Sequence, residues 1–296
     1  MPAELIDGRA IAKKVRADVA ERAAKLIARG IRPGIAVVLV GEDPASVVYT
    51  TSKGKAAEEA GMYSLNLRLP VDISQADLLA KVDALNSDPK IHGILVQMPL
   101  PKHIDPDTVI RRIDPTKDVD GFHPINVGKM LVGERDGFIP CTPAGIQVLL
   151  KESGVSTPGK NCVVIGRSNI VGKPMAAIMM QDNEGANCTV TVCHRHTVDL
   201  AAHTGSADIL IVAAGRPGIV TGEMVRRGAV VIDVGTNRVE DASTKSGTRL
   251  IGDVDFESVR QVASKITPVP GGVGPMTIAM LMANTVRAAE LASQRR

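Results

Sequence analysis

Aromatic side chains are scarce in this sequence of 296 residues, which contains no Trp, two Tyr and three Phe. The formal net charge is only +3, and the basic residues are dispersed along the chain. Surfaces that bind nucleic acids usually combine stacking aromatic rings with concentrated positive charge. The sequence therefore argues against a nucleic-acid partner and favours a small molecule.

Cysteine is limited to four residues, and they form no C-x-x-C pair. The histidines also lack an H-E-x-x-H pattern, so we predict neither a disulfide framework nor a metal site. No serine lies in a G-x-S-x-G turn, which leaves covalent hydrolase chemistry without support. The cysteines are Cys141, Cys162, Cys188 and Cys193.

Long apolar runs are missing as well, and none approaches the length of a transmembrane helix. Residues 1–8 carry an acidic side chain early and lack the apolar core of a signal peptide. We therefore expect a cytoplasmic chain with no membrane partner.

Strand and helix patterns alternate along the sequence, which predicts an α/β fold with parallel sheets. A helical stretch at about 8–28 precedes an apolar strand at 34–40. A further strand at 93–96 places Gln97 at its carboxyl end. The length of the chain suggests two domains.

A stretch rich in Gly, Pro and Asp ends near Pro143 and marks the predicted domain joint. Thr142 and Pro143 have the spacing of a helix N-cap and first helical residue. We expect one domain of residues 1–141, completed by 270–296, and a second of residues 142–269. Further strands of the second domain are predicted near 162–165, 189–193, 209–213 and 229–233.

A nucleotide-binding turn is predicted where the strand Asn161–Ile165 runs into the loop Gly166–Gly172. Glycines let backbone N–H groups and the start of the next helix approach a pyrophosphate. The spacing departs from G-x-G-x-x-G, so the loop alone is a weak indication.

Arg195 follows the next predicted strand, where NAD enzymes usually place an acidic residue on the ribose hydroxyls. Together with Arg167 it offers guanidinium donors that suit a 2′-phosphate, which favours NADP over NAD as the cofactor. The alternative is that both arginines are solvated loop charges.

The pair Asp43-Pro44 predicts a helix start, and helical spacing then aligns Ser46, Tyr49 and Lys53 on one face. A lysine withdrawn from water has a lowered pKa and can exchange a proton with a reacting water or amine. Gln97 could orient that amine without adding charge. Spacing alone leaves open that Tyr49 is a core residue and Lys53 a surface ammonium.

Asp118 and Asp120 would point in opposite directions on an extended segment, so only one of them can face a site. Asp120, next to Gly121, could accept paired hydrogen bonds from an amino-substituted heterocycle. Asp118 is better suited to a cap or to a pair with Lys117. Both residues as ordinary turn carboxylates is the alternative.

Five segments in this order resemble the bifunctional methylenetetrahydrofolate dehydrogenase/methenyltetrahydrofolate cyclohydrolase family, and the resemblance covers nearly the whole chain. It implies two α/β domains flanking a cleft, with a Rossmann-type NADP-binding second domain, a C-terminal helix returning to the first domain, and a homodimer. The last segment is the most specific. The segments are 46–53, 96–101, 117–124, 166–174 and 268–277.

The same resemblance implies that 5,10-methylenetetrahydrofolate gives a hydride to NADP⁺, and that water opens the methenyl cation to 10-formyltetrahydrofolate. It places Lys53 and Gln97 in the hydrolysis, Tyr49 on the folate ring and Asp120 on the pterin. Other expected substrate contacts are Ser46 and Pro270, followed by Gly271, Gly272 and Val273 as a loop that closes on the substrate. The expected cofactor contacts are Gly166, Arg167, Ser168, Arg195 and Thr236.

Two positions depart from the family pattern. Arg195 stands where many members have Ser, which should strengthen recognition of the 2′-phosphate. Thr236 replaces an Ile expected beside the nicotinamide. Two other functions remain open at this point: a two-domain NADP oxidoreductase for a small hydroxy or amino acid, and an inactive NADP-binding module.

Overall fold

The computed structural model describes residues 2–244 and 247–294. The chain forms two compact units, each with its own parallel sheet. We call them the six-stranded unit (Met1–Ala12 and Thr142–Thr277) and the three-stranded unit (Lys13–Cys141 and Ile278–Arg296). Within the described ranges, each helix is too short or too polar to cross a bilayer.

The elements are numbered in chain order. The strands are β1 (Glu4–Leu5), β2 (Gly34–Val40), β3 (Tyr63–Leu69), β4 (Gly93–Val96), β5 (Asn161–Ile165), β6 (Thr189–Cys193), β7 (Ile209–Val212), β8 (Val230–Asp233), β9 (Asn237–Glu240), β10 (Thr248–Ile251) and β11 (Lys265–Ile266). The α-helices are α1 (Gly8–Ile27), α2 (Pro44–Glu59), α3 (Gln75–Ser87), α4 (Pro106–Arg112), α5 (Pro124–Val132), α6 (Cys141–Glu152), α7 (Gly172–Met179), α8 (Leu200–Gly205), α9 (Phe256–Arg260) and α10 (Val273–Gln294).

The three-stranded unit is built around β2, which pairs in parallel with β3 on one side and β4 on the other. Every residue of β2 is buried, and successive residues enter opposite cores because side chains alternate across a strand. Ile35 and Val37 pack with residues of α1, α2 and α10. Ala36 and Val38 pack with residues of α3 and α4. Cover on both faces explains the continuous apolar sequence.

The six-stranded unit has the strand order β1-β11-β8-β7-β5-β6, and all neighbouring strands are parallel. Its core includes Val163, Leu210 and Val231 from three central strands. Because the strands are parallel, the loops after β5, β6, β7 and β8 lie at the same edge of the sheet. That edge is where open α/β sheets bind ligands.

The predicted α/β class with parallel sheets is confirmed, and so is the return of the C-terminal helix. Leu281, Met282 and Val286 of α10 belong to the core of the three-stranded unit. The units differ in extent from the expected domains, however. Residues Met1–Ala12 group with the six-stranded unit, since β1 pairs with β11.

Two local predictions were wrong. Thr142 is not an N-cap, because α6 already begins at Cys141 and the Thr142 Oγ1 lies 3.0 Å from the Thr277 Oγ1. Val273 was expected in a loop, but it is the first residue of α10 and is buried. Its apolar side chain packs into the protein instead of lining the turn.

Candidate active site

Helix α2 begins as predicted from the pair Asp43-Pro44. The Asp43 carboxylate accepts a hydrogen bond of 2.8 Å from the Ser46 backbone N–H, and Pro44 occupies the first turn. The helix buries Ser46 and Lys53, whereas Lys55 stays exposed. The cap fixes where the helix starts and thereby which face carries the lysine.

Lys53 is held at the carboxyl end of the sheet by Gln97. Its Nζ donates to the Gln97 Oε1 at 2.9 Å. The Gln97 Nε2 donates to the Met98 carbonyl at 2.6 Å, which orients the amide, and the Gln97 backbone N–H bonds the Val38 carbonyl at 2.8 Å. A neutral side chain therefore presents a fixed acceptor to the ammonium group.

Burial lowers the pKa of Lys53, which is only 7% exposed. The charge of Asp120 acts in the opposite direction and raises it. The Lys53 Nζ also lies 5.9 Å from the centroid of the Tyr49 ring. Loss of hydration is the largest effect, so this amine is closer to proton exchange at neutral pH than a surface lysine.

Asp118 and Asp120 have different surroundings, as their spacing predicted. Asp118 is buried and accepts hydrogen bonds from the His123 backbone N–H and the Asn126 Nδ2, both at 2.8 Å. It thus holds the start of α5. Of its two predicted roles Asp118 takes the cap and not the pair with Lys117, because the Lys117 Nζ donates to the carbonyls of Leu85 and Asp88 at the end of α3.

Asp120 is the carboxylate that shares the surroundings of Lys53. Burial raises the pKa of Asp120, and the nearby Lys53 ammonium lowers it. The Cys141 Sγ lies in the same buried region and donates to the Val119 carbonyl at 3.4 Å, and burial raises the pKa of Cys141 well above its usual range. Lys53, Gln97, Tyr49 and Asp120 therefore form one cluster within the three-stranded unit.

Sequence reasoning missed Asn284, which supports this cluster from α10. Its Nδ2 donates to the Val119 carbonyl at 2.8 Å and to the Ile139 carbonyl at 3.1 Å. These bonds fix the backbone beside Asp120 and before Cys141. The available signal was an Asn within a predicted helix rich in Ala, Met and Leu, although nothing in the sequence identifies its partners.

In the six-stranded unit, the loop Gly166–Gly172 forms a tight turn between β5 and α7. The Ser168 Oγ accepts from the backbone N–H groups of Val171 at 3.1 Å and Gly172 at 3.3 Å. A Cβ on Gly172 would lie 2.1 Å from the Gly166 carbonyl oxygen, so only glycine permits this closure. Arg167 and Ser168 are exposed. The loop fits a phosphate-bearing dinucleotide.

Arg195 and Thr236 lie on other loops of the same sheet edge. Arg195 follows β6, is exposed, and its Nε donates to the His196 Nε2 at 3.1 Å. Thr236 follows β8 and is also exposed. The cofactor residues expected from the sequence are therefore grouped on the loops after β5, β6 and β8.

The segment Pro270–Val273 belongs to the six-stranded unit, unlike Ser46 and the Lys53 cluster. It follows a cis peptide bond between Val269 and Pro270, and the Gly272 N–H donates to the Pro268 carbonyl at 2.8 Å. The expected substrate contacts are thus divided between the two units.

Two family models cover most of the chain. The tetrahydrofolate dehydrogenase/cyclohydrolase catalytic domain matches residues 6–120, and the NAD(P)-binding domain of that family matches residues 140–293. The chain belongs to the tetrahydrofolate dehydrogenase/cyclohydrolase family. This confirms the family expected from the sequence motifs and the presence of a nucleotide-binding domain.

Relatives in this family match along the whole length. The bifunctional protein FolD of Syntrophus aciditrophicus is 56% identical over 293 residues, which cover 99% of each chain. The crystal structure of the bifunctional enzyme FolD from Campylobacter jejuni is 49% identical, with a TM-score of 0.92 over 98% of this chain and 99% of that one. The FolD structure from Trypanosoma brucei, complexed with NADP cofactor and inhibitor, is 41% identical, with a TM-score of 0.94 over 99% of both chains.

Proposed function

We propose that this chain is a bifunctional one-carbon folate enzyme. It oxidises 5,10-methylenetetrahydrofolate to 5,10-methenyltetrahydrofolate with NADP⁺, and it hydrolyses the methenyl cation to 10-formyltetrahydrofolate. The observation that best supports this proposal is the buried Lys53 ammonium, held by Gln97 and close to Asp120. Neither an NADP oxidoreductase of a small hydroxy or amino acid nor an inactive module needs this combination.

In the hydrolysis, Lys53 accepts a proton from the attacking water and returns one to the leaving nitrogen. Water adds to the methenyl carbon and loses a proton. When the bond from this carbon to the ring nitrogen breaks, the nitrogen gains a proton and the hydroxyl loses its remaining proton to become the formyl C=O, so one proton is released overall. An amine with a lowered pKa can take the first proton and return one to the nitrogen. Gln97 orients the Lys53 Nζ without the full charge that would hold the lysine protonated.

Substrate binding is assigned to residues of both units. Tyr49 is 38% exposed and can stack on the folate ring, while Asp120 can accept hydrogen bonds from the pterin. Ser46 lies three residues before Tyr49 on α2. The segment Pro270–Val273 contributes backbone contacts at the start of α10.

NADP⁺ supplies the hydride acceptor when it is bound. The backbone of Gly166, Arg167 and Ser168 would hold its pyrophosphate, and Arg195 its 2′-phosphate. Thr236 would lie beside the nicotinamide. No proton transfer by the protein is required in hydride transfer, which depends on positioning.

The chain is further proposed to act as a cytoplasmic homodimer. The family resemblance implies a dimer contact through the cofactor domains, and in this chain β6 is an edge strand of the six-stranded sheet. Val192 of β6 and Met180 after α7 are exposed apolar residues. Light scattering on the purified chain should give twice the mass of one chain, and a monomer would contradict this part.

One absorbance assay tests the function. The protein is given 5,10-methylenetetrahydrofolate and NADP⁺, and reduced cofactor and methenyl compound are followed separately. Reduced cofactor should accumulate, and added methenyl compound should decay faster than without protein. A protein that catalyses neither step would refute the proposal. Activity on small hydroxy acids in their place would support the alternative oxidoreductase.

A further inference from the structure

A buried carboxylate joins two loops of the six-stranded unit. Asp253 is fully buried, and its Oδ2 accepts from the backbone N–H groups of Ala214 at 2.7 Å and Gly215 at 2.8 Å. Its Oδ1 accepts from the Asn237 Nδ2 at 2.8 Å. Ala214 and Gly215 follow β7, and Asn237 follows Thr236 after β8. One side chain thus holds both loops at the ligand-binding edge.

A second carboxylate fixes Asp253 itself. The Asp233 Oδ1 accepts from the backbone N–H groups of Asp253 and Gly235, both at 2.9 Å, and its Oδ2 accepts from the Val254 N–H at 3.0 Å. A Cβ on Gly252 would lie 1.7 Å from the Asp233 Oδ2, so only glycine allows the backbone to come this close to the carboxylate. Asp233, at the end of β8, therefore fixes the backbone of Asp253 and thereby the position of the Asp253 carboxylate.

We propose that Asp253 is a positioning residue for the nicotinamide half of NADP⁺, because it ties the loop after β7 to the loop that carries Thr236. The inference rests on the proposed function, since it requires that the dinucleotide binds at this sheet edge. Asp253 does not touch the substrate in this proposal. It acts through the backbone of Ala214 and Gly215 and through Asn237.

The chemistry of the carboxylate makes the proposal specific. Asp253 receives donors at both oxygens, and an Asn at this position has one oxygen and one NH₂ group. Either orientation of the amide then places a donor against a donor, at the Ala214 and Gly215 N–H groups or at the Asn237 Nδ2. Water cannot readily relieve the conflict in a buried site, so the loops should shift.

The experiment compares three proteins: the wild type, Asp253→Asn, and Asp253→Asn with Asn237→Asp. In the double variant, the new Asn oxygen can accept from Ala214 and Gly215 while its NH₂ group donates to the new carboxylate. For the single variant we expect KM for NADP⁺ to rise roughly tenfold or more. Hydrolysis of added methenyl compound should change less than twofold, since Lys53 lies in the other unit. The double variant should regain part of the NADP⁺ affinity, because the Gly252 carbonyl, which accepts from the Asn237 Nδ2 at 3.2 Å, loses its donor.

The outcomes separate the two proposals. A wild type without either activity refutes the proposed function. A wild type with both activities, together with an unchanged KM for NADP⁺ in Asp253→Asn, refutes only the role of Asp253. A single variant that loses both activities and is not rescued by the second substitution also refutes it. If Asp253→Asn fails to fold, Asn237→Ala removes one of the three bonds to the Asp253 carboxylate, together with the bond from Asn237 to the Gly252 carbonyl, and should raise KM for NADP⁺ without affecting hydrolysis.

Discussion

The Nζ of Lys53 lies 2.9 Å from the Oε1 of Gln97, and the same amide donates through its Nε2 to the Met98 carbonyl at 2.6 Å. The amide can therefore offer only its oxygen to the lysine. This arrangement stabilises an ammonium group less than a carboxylate would, and burial dominates the pKa of Lys53. Gln97 thus fixes the position of the Lys53 Nζ without strongly favouring its protonated form.

Replacement of Lys53 by Met should separate the two activities. The variant removes the amine and keeps an unbranched side chain, so hydrolysis of added methenyl compound should fall by roughly a hundredfold or more, while hydride transfer stays measurable. Lys55→Met, an exposed position on the same helix, is the matched control and should behave like the wild type. An equal loss of both activities would show that Lys53 has no separate role in hydrolysis.

Replacement of Gln97 by Glu should shift the pH dependence of hydrolysis. A carboxylate beside the Lys53 Nζ favours the charged amine and raises its pKa by roughly 1–3 units. Because the neutral amine accepts the proton, the acidic limb of the kcat profile should move to higher pH by a similar amount. Gln75→Glu, a change of the same kind in the same unit, should leave the profile in place. An unshifted limb in Gln97→Glu would mean that another group titrates.

Replacement of Arg195 by Ala should weaken discrimination between the two dinucleotides. A charge-assisted phosphate hydrogen bond contributes about 1.5–3 kcal/mol, so KM for NADP⁺ should rise tenfold or more, and KM for NAD⁺ should change little. Arg227→Ala serves as a control, because Arg227 is exposed and precedes β8 at the opposite edge of the sheet. If the preference for NADP⁺ survives, the arginine is a solvated loop charge.

Replacement of Asn284 by Ala should destabilise the three-stranded unit. Two carbonyls near Asp120 lose a buried donor, at a cost of about 1–3 kcal/mol, and the urea midpoint should fall accordingly. Asn86→Ala also removes two hydrogen bonds, one to the Arg112 carbonyl and one from the Asp114 N–H, but these are more exposed, so it should cost less. KM for the folate should also rise in Asn284→Ala, because Val119 adjoins Asp120. A wild-type midpoint and KM would exclude this supporting role.

Local chemistry made part of the site predictable. The Asp43-Pro44 pair fixes the start of α2 through bonds within four residues, so the position of Lys53 on the helix follows from the sequence. Gln97 follows a short apolar strand, and Pro99 and Pro101 end the sheet there. Family motifs supplied the roles of these residues.

Long-range partners could not be predicted in the same way. Asn284 and Val119 are 165 residues apart, and no periodicity connects them. Asp253 appears in the sequence as one acid after a short strand, and only the fold brings it to Ala214 and Asn237. Thr142 has the local pattern of a cap, but its hydroxyl lies beside Thr277. In each case a contact distant in sequence determines what the side chain does.

The core of the three-stranded unit, which carries Lys53, includes side chains from α10. On the ribosome, residues 13–141 emerge early, but their apolar surface remains partly uncovered until the whole six-stranded unit and then α10 have been synthesised. The half of the protein that is translated first is therefore completed last. The core of the first-translated unit thus stays open until α10 packs on it. Chaperones that shield apolar segments during synthesis should therefore affect the yield of folded protein more than its final stability.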